Sequence, residues 1–259
     1  NSIDLPGVKA LDGQFWAGPS AAGITLSGQQ NELRWDSMFS APITYQQVEL
    51  NLLARQSQNG IWQIQIPSLQ LLSEDFTLNA AMQWRLAQQP ELSLFAALTD
   101  ASADHVSRYL PLRYLPEKIR EYLGDAIVDG QINQATVLWQ GAPAQYPFAE
   151  GQGIFQVAAE VSDASFVFNP QWPALQQLGS NLWFENAAMQ ISSDQATIAG
   201  IALQGDVRAT IPNLLDAEFL SIEIDSALQL SEATGLINAS PLAANLGKVL
   251  QQLAPTGPA

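Results

Sequence analysis

Asp100, Asp104 and His105 are the one close grouping of potential metal ligands in this chain. Two carboxylates and an imidazole make a donor set that suits a divalent cation. A second reading competes with it. The three residues stand where a helix is expected to begin, and Asp there caps free N–H groups or offsets the helix dipole. His105 is the only histidine, so a zinc site built on several imidazoles is excluded. The absence of cysteine removes disulfides, thiolate nucleophiles and thiolate metal ligands. Serine, histidine and aspartate all occur, but no Gly-x-Ser-x-Gly elbow presents a nucleophile. With 25 Asp and Glu, carboxylate pairs for glycoside hydrolysis can arise in any fold, and no spacing singles one out. A carbohydrate-active enzyme would need a polar cleft with converging carboxylates. The expectation is a protein without catalytic residues, cofactor or metal.

Composition narrows the partners. A formal net charge of -15 repels phosphate backbones, so nucleic acid is not expected. Only 14% of residues are charged, against the usual quarter or so. The polar surface must come from uncharged groups, and 28 glutamines supply much of it. Together with 47% hydrophobic residues, this describes a folded chain with much apolar area to place. No apolar run approaches the ~18 residues of a membrane-spanning helix. The length, 259 residues, suits one large or two small domains. The first residue is Asn1 and the last are Pro255 to Ala259, which reads as a section of a longer protein.

The elements that must position these groups are mostly strands. Residues 76–86 alternate strictly, with Phe76, Leu78, Ala80, Met82, Trp84 and Leu86 on one side. Residues 45–53, 62–66 and 92–98 share the rhythm, separated by turn signals at Asn59-Gly60 and Gln88-Gln89-Pro90. This predicts an antiparallel β-meander over 1–100, with a turn at Asp12-Gly13. A helical insertion follows over 101–130, with helices near 103–110 and after Pro116 and a stop at Gly130. A second β segment of the same elongated domain spans 131–230. It is interrupted by a helical turn from Trp172-Pro173 to Gly179 and ends in a long amphipathic strand, 220–230. A C-terminal helical segment, 231–259, is expected to start at Ser240-Pro241 and to present Leu242, Leu246, Val249, Leu250 and Leu253.

Long amphipathic strands need a cover for their apolar faces. Two sheets can bury each other in a β-sandwich. Alternatively, one strongly curved antiparallel sheet can enclose a taco-like apolar groove that holds acyl chains, at about 0.8 kcal/mol per buried CH₂. Alternation alone assigns the groove candidates as Val48, Leu50, Leu52, Trp62, Ile64, Ile66, Phe76, Leu78, Met82, Trp84, Leu86, Phe155, Val157, Val161, Leu220, Ile222, Ile224 and Leu228. Trp62, Trp84, Trp139 and Trp183 all fall within expected strands. Several of them face a cavity if the groove exists, and all pack into a core if it does not.

An ordered series of landmarks carries a resemblance. It comprises Tyr109-Leu110-Pro111, Leu115-Pro116, Ile119-Arg120, Tyr122-Leu123, Tyr146-Pro147-Phe148, Gly151-Gln152-Gly153, Asn169-Pro170-Gln171-Trp172-Pro173, Ile211-Pro212-Asn213-Leu214 and Ser240-Pro241-Leu242. From about residue 104 to 250 the chain resembles the AsmA-like envelope proteins of the YhdP type, relatives of TamB. The resemblance implies a mainly β groove in the periplasmic part of a protein anchored in the inner membrane of a Gram-negative bacterium. It implies phospholipid acyl chains as partners, transfer between inner and outer membranes, and support of the outer-membrane permeability barrier. The alternative is a structural or protein-binding β-domain of the envelope with no lipid of its own.

Overall fold

The computed structural model describes residues 7–109, 117–216 and 221–247. Its strands join into one thirteen-stranded antiparallel sheet. β1 (Gly7–Val8) and β2 (Leu11–Ala17) lie end to end along β3 (Ala21–Arg34). From β3 the chain meanders through β4 (Ile43–Gln56), β5 (Trp62–Leu72), β6 (Thr77–Leu86) and β7 (Glu91–Ser102). A 3-10 turn (Ala103–His105), helix α1 (Val106–Tyr109) and helix α2 (Glu117–Ala126) separate β7 from β8 (Ile127–Gly141). The meander resumes with β9 (Ile154–Phe166), β10 (Leu175–Glu185), β11 (Ala188–Ile198), β12 (Ile201–Ile211) and β13 (Ser221–Ile224). β7 and β8 pair directly, Leu94 opposite Trp139, so the helical insertion does not divide the sheet. The sheet is open and curved, and no second sheet faces it among the described residues. The sandwich alternative is thereby set aside.

Local chemistry departs from the sequence expectation at several points. Asp12-Gly13 is no turn: Gly13 lies inside β2, where an added Cβ would come within 2.5 Å of Leu26 Cδ2. The glycine serves a close approach rather than a reversal. Gly130 does not stop α2, which ends at Ala126, but sits within β8 at φ +139°. Residues 175–179 are strand rather than helical turn, and Gly179 marks a register shift against Gln195. The long strand over 220–230 is only β13, because helix α3 (Leu230–Asn238) intervenes. Gln229 and Glu232 form a reciprocal capping box there, which satisfies free N–H groups and overrides the alternation. Ser240 stands between two helical turns: its hydroxyl donates to the Ile237 carbonyl at 2.9 Å and accepts from the Leu242 N–H at 3.3 Å, as an N-cap does. A π-helical turn, Ala243–Gly247, follows. Leu220, Val249, Leu250 and Leu253 lie outside the described residues.

The curvature has a visible source. Gln30 in β3, Asp100 in β7, Asp163 in β9 and Gln177 in β10 turn to φ between 49° and 58°. Gly130 and Gly205 reach 139° and 144° in β8 and β12. From β7 onward these positions, with a shift between Ser193 and Gln195 in β11, are neighbours across the sheet in one half of it. Register shifts mark bulges among β8 to β12, each of which adds twist and bends its strand, and a row of them folds that half over. Gly205 is the tightest: an added Cβ would stand 2.0 Å from the Asp225 carbonyl oxygen. Gly205→Ala is expected to lower stability by about 2 kcal/mol in urea unfolding, because both φ and the contact oppose it.

The core consists of patches on one face of the sheet. Near the bulged end, Val161, Ala164, Phe166, Leu175, Leu178, Ile198, Leu203 and Val207 are buried, with Leu228 and Leu236 of the α3 segment packed over them. On β4 to β7 the same end buries Ile43, Tyr45, Val48, Leu71, Phe76 and Ala101 under Phe39 and Tyr109. A third, smaller cluster joins Met189, Ile211 and Leu214 at the opposite end.

Candidate functional site

Cross-strand registers assemble the apolar positions into unbroken rows. One row runs Leu26, Leu50, Leu69, Ala80, Ala96, Val137, Val157, Phe184, Met189 and Ile211, each opposite the next. A second runs Val48, Leu71, Leu78, Leu98, Ala135, Ala159, Leu182, Ile191, Ala209 and Ile222. A third joins Ile66, Met82, Leu94, Trp139 and Phe155, with Phe15, Ile24 and Leu52 in line at the β2 side. The bulge after Ile66 is what keeps Leu69 and Leu71 on the same face, and Pro67, with no N–H to donate, occupies it. From β3 to β13 the strip extends about 48 Å along the sheet, at about 4.8 Å per strand.

Cover is uneven along this strip. Val48, Phe76, Leu78 and Val161 belong to the packed clusters, and Leu228 packs onto one from beyond β13. Leu50, Leu52, Trp62, Ile64, Ile66, Met82 and Val157 are half-buried and belong to none of them. Ile24, Trp84 and Leu86 are more open still, at 39%, 37% and 41% exposure. Phe155 is covered by the loop after β8, where the Trp139 and Tyr146 rings stack at 5.5 Å and Phe148 closes against both. Ile222 faces the cluster around Val207 and Ala209, and Ile224 at the edge is 42% exposed. Sequence reasoning placed these residues on one face but did not single out Ile24, Leu26, Leu94, Val137 or Phe184. Alternation in 91–98 was a usable signal for β7. In β3 the apolar positions are diluted by Ala22 and Gly28, and that signal is weak.

The residues with potential for metal chemistry are drawn into a strap over the bulged end. Tyr109 on α1 packs edge-on to Phe76 with ring centroids 4.9 Å apart, and its hydroxyl donates to Asp75. His105 Nδ1 lies 2.9 Å from the other Asp75 oxygen, and Arg108 is 3.9 Å away. Asp104 accepts from Ser102, which holds its carboxyl below the usual range. Asp100 lies within β7 at φ 58°. No group of three metal-ligating side chains is gathered among the described residues. The sequence missed Asp75, which lies 30 residues from His105 and is brought to it only by the β5–β6 turn.

This strap has a pH signature. Burial, then the bond to Asp75, raises the Tyr109 phenol well above its ordinary value of 10.0. A raised folded-state value means that the stabilisation is complete below pH 10 and lost as pH climbs beyond it. Tyr109→Phe is expected to lower stability at pH 7 by about 1 kcal/mol. It should also flatten the decline above pH 10, read by urea unfolding at both pH values.

A family model described as YhdP protein matches residues 2–259. The chain belongs to the YhdP family. Over 253 residues it is 24% identical to the intermembrane phospholipid transporter YhdP of Escherichia coli (strain K12). That alignment takes in 96% of this chain and 20% of the relative, so this family member spans about a fifth of the relative's length. No solved structure matches it. Among the described residues, no helix is long and apolar enough to cross a membrane.

Proposed function

We propose that this chain is a periplasmic section of a lipid conduit, in which the uncovered apolar strip shelters phospholipid acyl chains between inner and outer membrane. The observation that carries the reading is the strip itself, unbroken from β3 to β13 yet covered only in patches by the described residues. A soluble domain with no occupant for such a face would leave several hundred Å² of contiguous apolar surface to water, which is rare. An acyl chain spans half of a ~30 Å hydrocarbon layer, so a strip of about 48 Å accommodates its full length. Burying about fifteen methylenes is worth on the order of 12 kcal/mol before the costs of ordering. No chemical step is needed: lipid moves along a surface that offers apolar contact and no fixed charge to hold it. The edges at β1–β2 and β13 suit continuation of the same sheet by further strands, and the inner-membrane anchor and both membrane contacts belong to parts outside this section. Support of the outer-membrane barrier follows from the delivery of phospholipid.

Native mass spectrometry with lipid extraction, on the chain purified from bacteria, tests this reading. Co-purified phospholipid, or stoichiometric uptake of a fluorescent phospholipid, is the expected result. A lipid-free chain that takes up none would make it a structural or protein-binding section instead.

A further inference from the structure

One depression in the described surface opens away from the apolar strip. Most of its lining, over β8 to β11, is polar-face residues, with Ala135, Ala159 and Leu182 of the second apolar row lying between them in the strands, and its volume is about 400 Å³. Its floor is low because Thr136 and Ala158 stand opposite each other in β8 and β9. The next residue in that row, Trp183 on β10, rises beside Ala158 as a wall and is 42% exposed. The neighbouring row supplies the rim: Gln134, Glu160 and Asn181, each opposite the next. Gln134 Nε2 donates to Glu160 at 3.2 Å, which orients the carboxylate. No lysine or arginine lines the depression.

We propose that this depression binds a neutral glycan chain. The Trp183 indole belongs to none of the packed clusters, and it stands on the face opposite the strip. A pyranose ring presents a flat face of C–H groups, slightly positive, to the negative face of an indole. Its hydroxyls, or the acetamido groups of an amino sugar, pair with the side-chain amides and with the acceptor oxygens of Glu160. The carboxylate and the missing cation disfavour an anionic ligand. An acyl chain has nothing to offer the polar rim. The volume falls within the range of ligand sites, which begins at about 300 Å³. Phe95 on β7, 50% exposed on this same face, stands three strand spacings and two residues from Trp183, about 16 Å. A ligand lying across the strands therefore reaches a second aromatic, and longer oligomers bind tighter than short ones.

Isothermal titration calorimetry of the chain with chitotriose and with cellotriose tests the site, the pair reporting whether acetamido groups matter. Saturable binding of either sugar is expected, weakened at least about tenfold by Trp183→Ala, the equivalent of ~1.4 kcal/mol. Ala158→Phe, which fills the floor and leaves Trp183 in place, should weaken it as much. Met82→Asp, on the apolar strip, should leave it unchanged, so lipid shelter and glycan binding fail independently. No binding of either sugar up to about 10 mM, a free energy near 3 kcal/mol, overturns the proposal. Binding that survives Trp183→Ala, or that is lost with Trp84→Ala instead, overturns it equally. Circular dichroism on each variant confirms that the fold is retained.

Discussion

Replacing Met82 by aspartate is expected to reduce phospholipid retention at least about a hundredfold while the sheet stays folded. Met82 sits opposite Ile66 on one side and Leu94 on the other, in the middle of the strip. It is half-buried and belongs to no packed cluster, so little packing is lost with its side chain. What changes is the surface an acyl chain would meet. A carboxylate stripped of water beside hydrocarbon costs several kcal/mol, and a hundredfold loss needs only about 2.7. Gln83→Asp is the matched control, because the next residue along β6 points to the polar face and is exposed. Lipid extraction should find phospholipid in the wild-type chain and in Gln83→Asp, and little in Met82→Asp. Equal lipid in all three would mean that lipid is held elsewhere, and the conduit reading of this section would fall.

The strip was legible in the sequence because its physics is local. Period-2 alternation in 76–86 and 62–66 fixes which side chains share a face, whatever the strand pairs with. The sequence could not tell a sandwich from an open sheet, since both need the same alternation, and only pairing from β3 to β13 decides it. Nor could it place the cover. Phe76 and Met82 look alike in the pattern, yet among the described residues Phe76 lies under Tyr109 while Met82 joins no packed cluster, because α1 crosses only one end. The bulges at Asp163 and Gln177 and the positive φ of Asp100 leave no signature beyond residues that tolerate such a backbone, and Asp there reads as a cap or turn. Trp183 fell within an expected strand as Trp84 did, but register shifts between Leu175 and Ser180 separate it from the apolar face. A slip of one residue is enough to reverse a strand's faces, and no count of apolar positions detects it.

Phe148→Ala is expected to cost about 3–5 kcal/mol, the largest loss from any single truncation proposed for this chain. The ring is 2% exposed and carries the loop between β8 and β9. Two glycines leave it room: a Cβ at Gly141 would lie 2.9 Å from the ring, and one at Gly153 would lie 2.6 Å from it. Trp139 closes from another side with centroids 5.3 Å apart, and Tyr146 at 6.0 Å. Tyr146 is in turn anchored, its hydroxyl donating to the Asn186 carbonyl at 3.0 Å, while Asn186 Oδ1 accepts from the Phe155 N–H at 3.0 Å. Emptying the Phe148 position therefore leaves a cavity that the glycine backbone cannot collapse into, and it unseats the loop that covers Trp139 and Phe155. Urea unfolding should show the midpoint falling while m stays constant, as expected for a change in stability alone. The two rings at the end of the third apolar row would also become accessible, so quenching of tryptophan fluorescence by acrylamide should rise in the folded variant. If stability falls by less than about 1 kcal/mol and quenching does not change, the loop is held by its backbone hydrogen bonds and the aromatic cluster is incidental to it.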